Sequence, residues 1–97
     1  MTTTPDQSIE LTSVVIEEKI LDFLEERTKV RWEPEVDLFD SGTVSSLFAM
    51  ELVVFLEGAF DIEIAGPDLK LANFRTARIM VGLVERLRAE DAEDGRG

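Results

Sequence analysis

Apolar residues recur with a helical period in three separate stretches of this 97-residue chain, and nowhere else for long enough to build another kind of element. In residues 12–27, Ile16, Ile20, Phe23 and Leu24 fall at i, i+4, i+7 and i+8, while Glu17, Glu18, Lys19, Glu25 and Glu26 take the opposite side. Thr12 or Ser13 is placed to cap this first helix. A second helix is predicted over 46–58 or slightly beyond. A third is predicted over 76–88, where Ile79, Met80, Leu83, Val84 and Leu87 share a stripe that ends in basic residues suited to a C-terminal dipole. Residues 28–44 hold Pro34, Ser41 and Gly42 and have no helical rhythm, so they read as a long loop. Trp32, Val36, Leu38 and Phe39 are expected to pin that loop to the core. Residues 61–64 alternate polar and apolar like a strand but have no partner strand. The turn at Gly66-Pro67 opens a short helical piece over 67–72, with Pro67 suited to the first helical position. The expectation is an all-α bundle of three longer helices and one short one, with a long first loop. It occupies residues 12–88, between a flexible N-terminus (1–11) and a flexible acidic tail (89–97).

Composition narrows the chemistry. Acids outnumber bases 21 to 10, for a net charge of −11 and a pI near 4.3. Such a surface repels nucleic acid and anionic membranes and favours basic patches on other proteins. Cys and His are both absent, which removes disulfides, thiolate chemistry, imidazole base catalysis and any Cys/His zinc site. Carboxylate pairs such as Glu17/Glu18 and Asp61/Glu63 read as solvated charge rather than metal or acid/base sites, so no metal is expected. No apolar run is long enough to span a membrane, and no basic-then-apolar leader is visible, so a cytoplasmic monomer is expected. The chain has little catalytic equipment and is not expected to be an enzyme.

The second helix has too many apolar positions for one buried stripe. At about 100° per residue, Ala49, Leu52, Val53, Leu56 and Phe60 form a sufficient core face. Leu47, Met50, Glu51, Val54 and Gly58 fall on the opposite side, with Phe48 and Phe55 at the boundary. Either the long loop covers this second face or the face is a docking surface. Between Trp32 and Leu69 there is no Lys or Arg, whereas Glu33, Glu35, Asp37, Asp40, Glu51, Glu57, Asp61, Glu63 and Asp68 all lie there. One end of the molecule is therefore expected to show a purely negative field around an apolar helix, which speeds encounter with basic partners.

The stretch 37–64, DLFDSGTVSSLFAMELVVFLEGAFDIEI, resembles the acyl carrier protein family. That family opens its second helix with Asp-Ser-Leu. Here the motif reads Ser45-Ser46-Leu47, followed at matching spacing by Glu51-Leu52-Val53, Leu56-Glu57 and Phe60-Asp61-Ile62-Glu63-Ile64. The resemblance implies an acyl-carrier-like four-helix bundle in which Ser46 receives 4′-phosphopantetheine from coenzyme A through a phosphopantetheinyl transferase. The thiol of that arm then holds an acyl group as a thioester. A chain without Cys needs such an imported thiol, and a helix N-terminus suits a phosphodiester. Ser45 stands where the family usually has Asp; it keeps the ability to cap the helix and loses the charge. A hydrolase nucleophile at Ser46 would need a general base, and there is no His to supply one.

Ser41-Gly42 after Asp37-Leu38-Phe39-Asp40 is similar to free-standing carriers of secondary metabolism, such as polyketide and antibiotic biosynthesis. Residues 45–76 are similar to discrete carriers of methoxymalonyl-type polyketide extender units. This implies loading with a glyceryl group by an acyl-loading enzyme, tailoring by a dehydrogenase and a methyltransferase, and delivery to a polyketide synthase acyltransferase. These partners are expected to dock on Ser45, Leu47, Phe48, Met50, Glu51, Val54 and Phe55, with apolar burial outweighing ion pairs. Two alternatives stay open: a peptidyl or D-alanyl-type carrier loaded by an adenylating enzyme, and an unmodified acidic adaptor bundle.

Overall fold

The computed structural model describes residues 12–40 and 42–94. The expected loose N-terminus, Ser41 and the last three residues lie outside them. Three α-helices, α1 (Ser13–Thr28), α2 (Phe48–Phe60) and α3 (Ala77–Asp94), form the bundle, with 3-10 turns at Gly66–Asp68 and Leu71–Phe74 between α2 and α3. No strand is formed among the described residues.

α1 begins where its sequence allows a cap. Thr12 is extended, and its hydroxyl accepts the Val15 N–H at 3.3 Å. The helix buries Ile16, Ile20, Leu21 and Leu24 against α3 and ends at Lys29, whose left-handed backbone (φ 65°) sends its N–H back to the Glu25 carbonyl at 2.8 Å. Phe23, expected in this stripe, is only partly buried and turns towards α2.

The long first loop is anchored at both of its flanks. Trp32 is buried and donates its indole N–H to Thr28 Oγ1 at 2.9 Å. Arg31 reaches back along α1 to Asp22 (2.9 Å), Glu25 (3.1 Å) and Glu18 (3.3 Å). Leu38 and Val44 are buried, and Phe39 is half-buried. Val36 is exposed and pins nothing, contrary to expectation, because the Glu33–Val36 turn points it outward. Two backbone hydrogen bonds join the loop to the start of α3: Leu38 N–H to Arg75 O (2.7 Å) and Arg78 N–H to Pro34 O (2.9 Å). The second satisfies a first-turn amide of α3 that has no partner within its own helix.

Asp37 fixes the centre of this junction. Its carboxylate accepts the Phe39 and Asp40 N–H groups (2.9 and 3.0 Å) and pairs with Arg75 Nε at 2.8 Å. Partial desolvation pushes its pKa up, but the Arg75 hydrogen bond and the two amides together outweigh this and hold it below the ordinary value. A carboxyl depressed on folding stabilises the fold above its unfolded pKa and loses that contribution as pH falls through the folded one. Asp37→Asn is therefore expected to lower Tm by several degrees at neutral pH, with the gap to the parent closing on acidification below the usual carboxylate range. Thermal melts of both proteins across that range check it.

α2 buries Leu52, Leu56 and Phe60 and stops at Asp61, whose left-handed φ of 56° ends the helix. Arg88 of α3 donates to the Phe60 carbonyl at 3.2 Å and so supplies a cation to the open C-terminal end of α2. After it, Ile62 and Ile64 are buried while Asp61 and Glu63 are exposed. The alternation is that of a strand. The partner is the Glu57 carboxylate, which accepts the Ile64 N–H at 2.8 Å where a neighbouring strand would otherwise do so.

The single short helix expected over 67–72 is two 3-10 turns instead. Lys70 between them is extended (φ −143°), and the Asn73 amide donates to the Asp68 carbonyl at 2.9 Å. The second turn seats Phe74 in the core. α3 runs to Asp94, six residues past the predicted end at Arg88. It buries Ala77, Met80, Val81, Leu83, Val84 and Leu87 and leaves Ile79 exposed. Its first turn is capped by Thr76, whose Oγ1 accepts the Ile79 N–H at 3.0 Å. No helix of the described residues is long and apolar enough to cross a membrane.

Candidate functional site

Ser46 sits in the turn that leads into α2, with its side chain exposed. The N–H groups of Phe48, Ala49 and Met50 turn back to the carbonyls of Ser45, Ser46 and Leu47 at 3.0, 3.1 and 3.1 Å. This tight i→i+3 geometry moves the start of α2 two residues beyond the predicted one. It also overturns the capping role expected of Ser45. The residue in the cap position is Leu47, at helical φ/ψ, and no side chain caps the helix. The Phe48, Ala49 and Met50 amides have carbonyl partners, and the Ser45 hydroxyl accepts from none of the amides that follow it among the described residues. The unpaired amides lie one step earlier. Among the described residues, the N–H groups of Ser46 and Leu47 donate to no acceptor, and neither serine hydroxyl is hydrogen-bonded.

Grooves flank this turn. One of about 290 Å³ runs from Ser46 along Ala49, Met50 and Val53, and its far wall is Leu69, Leu71 and Phe74 with Lys70 at the rim. Another, of about 400 Å³, opens beside Ser45 between Leu47, Glu51 and the C-terminal end of α1 at Arg27 and Thr28. A third, of about 370 Å³, lies between α1 and α2, lined by Phe23, Arg27, Met50, Glu51, Val54 and Phe55.

Leu47 in the cap position, and Met50 and Val54 on α2, stand out at 78%, 64% and 69% exposure. Phe48 and Phe55 do not. They are partly buried because Phe23 of α1 stacks on both, with ring centres 6.1 and 4.1 Å away and planes within 18° and 11° of parallel. The long loop does not close this side of α2; α1 covers its edge. Phe23 and Arg27 are thus part of the surface around Ser46, and sequence reasoning missed both. The available signal was the aromatic at position 23, slightly off the stripe of Ile16, Ile20 and Leu24.

The purely negative field is also corrected. Arginines from outside 32–69 reach into that stretch, pairing Arg27 with Glu51 (2.7 Å), Arg75 with Asp37 (2.8 Å), Arg78 with Glu35 (2.5 Å) and Arg86 with Asp68 (2.6 Å). Glu33, Asp40, Glu57, Asp61 and Glu63 keep no ion pair among the described residues. A linear run of acids became a mixed surface because the helices carrying the bases fold against it.

The chain is 30% identical over 79 residues to the D-alanyl carrier protein of Lactococcus lactis subsp. lactis (strain IL1403), a match covering 78% of this chain and 100% of that protein. The D-alanyl carrier protein of Streptococcus uberis is 33% identical over 79 residues, covering 76% and 96% of the two chains. That of Streptococcus suis is 34% identical over 77 residues, covering 76% and 98%. The chain belongs to the acyl and peptidyl carrier protein family. No family model matches the chain, and no solved structure matches it.

Carrier proteins hold a substrate for other enzymes and do not transform it, and this chain is a carrier in the same sense. Members of the family generally bear a phosphopantetheine arm. The turn before α2 fits one. A phosphodiester on Ser46 would lie beside the two amides, of Ser46 and Leu47, that lack an acceptor, at the positive end of the helix. Lys70 is the cation bordering the groove that Ser46 shares.

Proposed function

We propose that this carrier holds a short polar acyl group as a thioester on 4′-phosphopantetheine attached to Ser46. The observation that carries the reading is an exposed serine hydroxyl beside two amides at the mouth of α2, none of the three hydrogen-bonded among the described residues. Attachment needs Ser46 Oγ to attack the β-phosphorus of coenzyme A, forming a phosphodiester and releasing adenosine 3′,5′-bisphosphate. The proton leaves to a base on a phosphopantetheinyl transferase, since this chain has no His to take it. Incubation of the purified protein with coenzyme A and a promiscuous transferase is expected to add the mass of one phosphopantetheinyl group. No mass gain would leave the adaptor reading in its place.

Two cargoes draw on different observations. The named relatives favour a D-alanyl group, which an adenylating enzyme would load. The resemblance of residues 45–76 to extender-unit carriers favours a glyceryl group, later oxidised and O-methylated on the arm by a dehydrogenase and a methyltransferase and passed to a polyketide synthase acyltransferase. Both are three-carbon acids with a polar α-substituent, in keeping with a shallow groove of about 290 Å³ beside Ser46. Presenting the arm-bearing protein to a D-alanine ligase with ATP, and separately to a glyceryl-loading enzyme with its donor, separates them by intact mass.

Loading and tailoring enzymes are taken to dock on Leu47, Met50 and Val54, with Ser45, Phe48, Glu51 and Phe55 around them. Burying one valine-sized side chain contributes about 1.5–3 kcal/mol. Val54→Asp is therefore expected to lower kcat/KM for acyl loading by roughly tenfold or more, while Tm moves little because the side chain is exposed. Steady-state loading assays beside a thermal melt check both halves.

A further inference from the structure

Glu51 lies amid the exposed apolar side chains of α2, between Leu47, Met50 and Val54. It is not available to a newcomer as it stands. Arg27 of α1 holds it at 2.7 Å, and both side chains are half-exposed. The same guanidinium stands 5.5 Å from the centre of the Phe23 ring. Arg27 and Glu51 both line the groove beside Ser45 and the groove between α1 and α2, so this one pair forms the ridge that divides them. No other cation reaches Glu51 among the described residues.

We infer that Arg27 is an internal stand-in for a basic side chain of the enzymes that act at Ser46, and that such an enzyme docks by taking Glu51 from it. The occupant is a protein face with apolar side chains set against Met50 and Val54 and one arginine or lysine placed over Glu51. Charge complementarity requires the cation: Glu51 is the one carboxylate in the exposed part of that face, and it is already met by a guanidinium in the free protein. An exposed ion pair is cheap to exchange. Arg27 also keeps a partner when Glu51 leaves it, the Phe23 ring over which its guanidinium already stands. Swapping one cation for another at the same carboxylate changes the electrostatic energy little. Apolar contact then supplies the affinity of the complex, and its salt dependence is weak.

This inference rests on the Ser46 reading, and its experiment separates the two. The parent, Arg27→Gln, Glu51→Gln and the double variant are given coenzyme A and a phosphopantetheinyl transferase, and the initial rate of mass gain is followed at low and high salt. Arg27→Gln is expected to gain the arm several-fold faster than the parent at low salt and to lose that advantage at high salt. In the Glu51→Gln background, Arg27→Gln is expected to change nothing. Equal thermal melts exclude a folding cause. A parent that gains mass while Arg27→Gln gains it no faster, or an Arg27 effect that survives the loss of Glu51, overturns this inference alone. A parent that gains no mass overturns the Ser46 reading and this one with it.

Discussion

Ser46→Ala is expected to emerge unmodified from incubation with coenzyme A and a promiscuous phosphopantetheinyl transferase, whereas Ser45→Ala takes up one arm as the parent does. Intact mass spectrometry gives an all-or-none answer. The two serines are adjacent and exposed, and neither side chain is hydrogen-bonded among the described residues, so nothing in their local bonding ranks one above the other. Register distinguishes them. Ser46 is followed at the family's spacing by Leu47, Glu51 and Phe60, and it is Ser46 that borders the groove along Ala49 and Val53. Loss of the Ser46 hydroxyl breaks no bond within the protein, so its stability is expected to stay within about 0.5 kcal/mol of the parent. Modification of Ser46→Ala at Ser45 would transfer the role to the neighbouring residue and undo the register argument.

Phe60→Ala is expected to produce the largest loss of stability. Phe60 is 1% exposed at the last turn of α2, its ring meeting Phe55 edge-on at 6.1 Å, and its carbonyl receives Arg88. Removing a fully buried phenyl ring costs about 3–5 kcal/mol, out of a total that is usually about 5–15 kcal/mol for a domain. Chemical denaturation followed by circular dichroism should show a much lower midpoint or a protein unfolded in buffer. The effect reaches the site because Phe55 loses its edge contact while it still carries the stack on Phe23, loosening the α1–α2 seam beside Glu51. A midpoint shifted by less than that of a surface substitution would mean that the ring is not the keystone its burial indicates.

Period alone located the three helices, since Ile16, Ile20 and Leu24 on α1, Leu52, Leu56 and Phe60 on α2, and Met80, Leu83, Val84 and Leu87 on α3 are all buried. What it missed has physical causes. Residues 89–94, the last turns of α3, are only Ala, Glu and Asp and have no apolar stripe to detect, while an Arg86–Glu90 pair at 3.2 Å, one turn apart, supports the helix there. The pair of 3-10 turns is set by the extended Lys70 and by the need to seat Phe74, neither of which a helical window registers. At the site, the motif register picks out Ser46, but pattern along one helix is silent about its neighbours. That Phe23 would stack on Phe48 and Phe55, and that Arg27 would take Glu51, are facts about how two helices face each other, so they became visible only in three dimensions.

The two sides of α2 use different residues. Leu52, Leu56 and Phe60 are sealed inside, and Leu47, Met50 and Val54 stand outside, interleaved along the chain without sharing a position. Mutation at the outer three therefore escapes the packing constraint that freezes the inner three. Over evolutionary time such a scaffold is free to be re-addressed to new enzymes by a handful of surface changes, with its melting point left behind as an inherited constant.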